Sequence, residues 1–70
     1  MKKLLQLFEK AVMIEADTSI GQDQKNLRLS QLLTAMEREY KIPIFLNDKW
    51  VAENHRIYSV YKEISDMRKF

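Results

Sequence analysis

Seventy residues, 46% of them apolar and 31% charged, with one glycine and one proline, describe a single helical domain over 1–70 and exclude a disordered or all-β chain. Twelve basic residues against ten acidic ones leave a net charge of +2, too small an excess for a strong basic field. The absence of cysteine excludes a disulfide framework and a thiolate zinc site. A chain this short buries only about 60% of its unfolded surface, so well-packed helices or a second copy must supply stability, and a homodimer is one expectation.

The first helix is expected from Lys2 or Lys3 to Ala16. Leu4, Leu5, Leu7, Phe8, Ala11, Val12, Ile14 and Ala16 cover an arc of roughly 200°, wide enough to touch two neighbouring helices. Met13 falls on the opposite, wet side, where core packing does not explain it. Lys2 and Lys3 precede this helix, but Gln6, Glu9 and Lys10 interrupt any signal-peptide core and no small-residue cleavage pattern follows. No run approaches the roughly eighteen apolar residues of a membrane span. Beyond Lys3 the polar face carries as many acids as bases, which suits anionic lipid poorly. The expected location is the cytoplasm, with no membrane partner.

Asp17-Thr18-Ser19-Ile20-Gly21 forms a short connection, which makes the first two helices an antiparallel hairpin. Ser19 with Gln22 fits a capping box, and Asp23 is the alternative N-cap. The second helix spans Gln22 to Tyr40, with Leu29, Leu32, Leu33, Met36 and Tyr40 inside an arc of about 100°. Its first five residues are polar, and Leu27 lies opposite the apolar stripe. Pro43, which also disfavours a helical Ile42, stops this helix. Ile44, Phe45 and Leu46 are expected to plug one end of the fold.

Asn47 or Asp48 can cap a short helix carrying Trp50 and Val51, and Asn54 a last helix from His55 to Lys69. In that helix Ile57, Val60, Tyr61, Ile64 and Met67 form the apolar stripe, and Lys62 and Asp66 are neighbours one turn apart. Arg68 and Lys69 in its last turn suit the negative end of the helix dipole. The fold class is all-α: a small three-helix bundle made of a helix hairpin, a proline-containing crossover, a short helix and a third long helix.

Nothing in the spacing selects a catalytic set. The single histidine, His55, stands at a helix start, and the single glycine, Gly21, cannot build a phosphate loop. Glu37 and Glu39 do not share a helix face, and Glu9 and Asp17 are two turns apart, so no metal site or cofactor is expected. What remains is binding. Met13, Leu27 and Tyr58 lie outside the core stripes, and Phe45 and Trp50 are large aromatics in a short segment; together they are the candidate protein-binding residues. The expected activity is non-enzymatic protein–protein contact of a regulatory or adaptor type, self-association first. The alternative is a helix-turn-helix-like nucleic-acid reader using Gln22, Gln24, Lys25, Asn26 and Arg28. Asp17 and Asp23 beside those residues, and the small net charge, count against it.

Overall fold

The computed structural model describes residues 2–70, with side chains from Lys3 onward; Met1 and the Lys2 side chain, and with it that half of the basic pair, lie outside the described residues. The described chain is all-helical: α1 (Lys2–Ala16), α2 (Gln22–Tyr40), α3 (Asp48–Glu53) and α4 (His55–Met67). α1, α2 and α4 each pack against the other two, whereas α3 packs against α4.

Polar contacts fix the directions. Lys3 at the start of α1 pairs with Glu39 at the end of α2 at 2.8 Å, and the Lys25 ammonium at the start of α2 donates to the Glu15 carbonyl at the end of α1. α1 and α2 are therefore antiparallel. α4 also runs against α2, since Tyr61 reaches Glu37 while Lys69, beyond its end, meets Asn26.

The core sits where the three long helices meet. Leu4 and Ala11 from α1, Leu29, Leu32, Leu33 and Met36 from α2, Ile42, and Ile64 from α4 are buried. Ala11 presents only a methyl group, which lets its neighbours approach closely. Leu29, Met36 and Ile64 are the largest fully buried side chains, each stabilising the fold by about 1.5–3 kcal/mol. Trp50 packs on this core from α3.

α2 ends as its sequence demands. Lys41 adopts a left-handed conformation (φ 52°), and its N–H and that of Ile42 both donate to the Glu37 carbonyl, closing the last turn while Ile42 turns inward. Asn47 caps α3 by accepting the Trp50 N–H at 2.8 Å.

Five local expectations are corrected. The Ser19–Gln22 capping box does not form, because the Asp17 carboxylate captures both the N–H and the hydroxyl of Ser19. Gly21, in an extended conformation, is the N-cap of α2, and Asp23 lies inside its first turn. Asn54 stands at the N-cap of α4, but its amide donates back to the Trp50 carbonyl and caps nothing ahead of it. α4 stops at Met67, so Arg68 and Lys69 do not occupy its last turn: Arg68 leaves the helix to donate to Ser30 and Ser65. Finally, Ile44 and Phe45 plug nothing and stand in solvent, Leu46 is partly covered beside Ile42 and Tyr61, and it is Trp50 that packs on the core.

Candidate protein-contact surface

The exposed segment follows directly from the end of α2. The Lys41 turn aims Ile42 inward, Pro43 blocks further helix, and Asn47 starts α3 four residues later. Ile44, Phe45 and Leu46 must bridge that gap, and with the core already covered they form an apolar tip. Ile44 is 94% and Phe45 87% exposed.

α1 supplies a second apolar area. Its apolar arc is wider than α2 and α4 together can cover, so Leu5 is 58% exposed and Val12 nearly as open. Leu5 and Phe8 border a hollow of about 350 Å³ between α1 and α4, floored by Leu4 and Val60 and edged by His55 and Arg56. A wider hollow of about 600 Å³ lies between α1 and α2, with Met13, Ile14 and Leu32 on its apolar side and Lys10 and Arg28 on its polar side. Near the tip, Ile42, Pro43, Ile44 and Leu46 enclose about 360 Å³ with Glu37 and Tyr61.

Of the residues singled out by sequence for protein binding, Met13 is 72% exposed, Leu27 about half exposed and Phe45 almost free. Trp50 and Tyr58 are partly buried, Trp50 against the core. These five do not form one patch. Phe45 lies beyond the end of α2, Met13 borders the α1/α2 hollow, and Leu27 sits on the outer face of α2. Leu5, Val12, Ile44 and Leu46 were assigned to the interior by pattern alone. The signal that marks them is position: Leu5 and Val12 sit at the rim of an over-wide arc, and Ile44–Leu46 carry no period at all.

The polar start of α2 is largely engaged inside the molecule. Asn26 is buried; its Oδ1 accepts the Lys69 N–H at 3.0 Å and its Nδ2 donates to the Lys69 carbonyl at 2.8 Å. The Gln22 amide also donates to Asn26 Oδ1, and Lys25 holds the Glu15 carbonyl. Only Gln24 and Arg28 keep free, exposed head groups.

Perturbed titrations do not converge on any hollow. Burial, then a 2.6 Å hydrogen bond to Glu37, pushes the Tyr61 phenol up to about 12. The Ser19 hydroxyl and N–H hold the Asp17 carboxyl below its ordinary value. Hydrogen bonding and charge raise Lys3 through Glu39 and Lys62 through Asp66. Among the described residues no three His, Asp or Glu side chains cluster as metal ligands, and no helix is long and apolar enough to cross a membrane.

No family model, curated protein or solved structure matches this chain. The surface must be read from its own chemistry. Exposed Ile, Phe and Leu side chains order water around them, and covering them with another apolar surface releases it.

Proposed function

We propose that this chain is a small, non-enzymatic, cytoplasmic helical protein of regulatory or adaptor type, which acts by protein–protein contact and associates with itself first. Its architecture is read as a three-helix bundle of α1, α2 and α4, with α3 as a lid and no cofactor. The observation that carries this reading is the tip Ile44-Phe45-Leu46, in which Ile44 and Phe45 are held almost fully in water by the folded chain and Leu46 is partly open. Such a patch is a recurrent mark of a contact surface. The nucleic-acid alternative gains no comparable support, since Asn26 and Lys25 already have partners within the molecule.

Photo-cross-linking of the full chain tests the reading. A benzophenone side chain replacing Phe45, and separately Val12, is irradiated in cells, and adducts are resolved by mass. Discrete protein adducts at position 45 are expected. Their absence at both positions overturns the proposal.

A further inference from the structure

The apolar tip and the α1/α4 hollow lie at the same end of the molecule, because the end of α2 stands beside the starts of α1 and α4. One projects and the other recedes. From this pairing we infer that two copies exchange tips: Ile44, Phe45 and Leu46 of one copy seat in the α1/α4 hollow of the second, against Leu5, Phe8 and Val60, and the reverse. The inference rests on the protein-contact reading and names the partner and geometry of that contact.

Two observations favour a second copy as the occupant. The first is area. Ile44 and Phe45 are almost fully open and Leu5 and Leu46 about half, and an exchange covers both sets in both copies. That puts the contact at the small end of specific interfaces, whose total area starts at about 1,200 Å². An exchange of tips is two-fold symmetric, so each copy buries both its tip and its hollow and no sticky face is left to propagate.

The second is the thin core. Only eight apolar side chains are buried among the described residues, and there is no cysteine to cross-link the fold. A second copy supplies the missing burial.

The test is light scattering and native mass spectrometry of the full chain from micromolar to millimolar concentration, with circular dichroism to confirm folding. The wild type is expected to pass from 8.4 kDa to twice that mass. Phe45→Asp and Leu5→Lys should each raise the dissociation constant by at least about 30-fold, as loss of a central anchor does. Phe45→Ser and, at the hollow, Ser59→Glu serve as second variants should either of those misfold. Lys10→Gln and Gln31→Glu, exposed at the α1/α2 hollow and off both surfaces, should leave it within about twofold.

Mixing decides the geometry. Phe45→Asp keeps an intact hollow and Leu5→Lys an intact tip. Their heterodimer has one wild-type contact and one in which the introduced opposite charges meet, so it should be tighter than either variant's homodimer. A tip-to-tip or hollow-to-hollow dimer would gain nothing from mixing, and that outcome overturns the exchange. A wild type that stays monomeric to 1 mM also overturns it. If position 45 cross-links to a different protein instead, the contact reading survives and the exchange falls; if neither position 45 nor position 12 cross-links, both fall.

Discussion

At the start of α2, Gln22-Asp23-Gln24-Lys25-Asn26 is polar throughout, yet it contains the one buried polar side chain among the described residues, Asn26. Beyond the other end of the same helix, Ile44-Phe45-Leu46 is apolar throughout and stands in water. Composition points the wrong way in both places, and availability of partners explains both. Near Asn26 the chain returns after α4, and the Lys69 backbone offers a donor and an acceptor matched to a side-chain amide. At the opposite end Trp50 covers the core, and nothing is left for the tip to pack on.

The sharpest way to break the comparison is to remove the core that both ends depend on. Leu33→Ala, at a buried position, should cost about 2–5 kcal/mol, comparable with the roughly 3–5 kcal/mol available to so small a fold. A urea melt would show it; an unmoved midpoint would put Leu33 outside the core.

Asn26→Ala tests the polar end. It strands the N–H and carbonyl of Lys69 in a part-buried place, at a cost of about 1–3 kcal/mol by the same melt. A change below that range would mean that water replaces the amide without loss.

Tyr61 gives the tip end its own polar contact. An unfolded tyrosine ionises near 10, whereas the folded phenol, partly buried and bonded to Glu37, holds its proton to about 12. Between those values the unfolded chain releases a proton that the folded chain keeps, so stability is whole below pH 10 and falls as pH rises toward 12. Tyr61→Phe should flatten that alkaline decline in melts taken across the range.

The smallest effect belongs to the tip itself. Phe45→Ser should change the stability of the isolated chain by less than about 0.5 kcal/mol at low micromolar concentration, because the side chain touches little that is lost on unfolding. A larger loss would mean that Phe45 packs within its own chain.

Periodicity made the helices legible. The Leu29–Met36 stripe and the Pro43 stop bounded α2 at Gln22 and Tyr40, where the structure has it. Features decided by competition or by distance were not legible. Ser19 could serve a helix cap or Asp17, and only the folded loop shows that Asp17 wins. The width of the α1 arc read as burial, whereas the number of neighbours limits what is buried, so Leu5 and Val12 were placed inside. For the binding residues, Met13, Leu27 and Tyr58 stand out as apolar side chains off the core faces and Phe45 as a large aromatic in a short segment; Met13, Leu27 and Phe45 are at the surface, whereas Tyr58 is half-buried. Ile44 and Leu46 escaped that reasoning because a non-periodic apolar run looks the same whether it fills a gap or bridges one.

The Asn26–Lys69 clasp also sets an order of events. Its partners are 43 residues apart, so it closes a loop of more than half the chain, while the hairpin of α1 and α2 closes over a five-residue turn (17–21). Contacts of such long reach are closed late, after nearer ones have reduced the search. An interaction made after the rate-limiting barrier acts on escape from the native state rather than entry to it. Stopped-flow kinetics of Asn26→Ala should therefore show faster unfolding with refolding nearly unchanged, which makes this buried amide a latch on the lifetime of the folded chain.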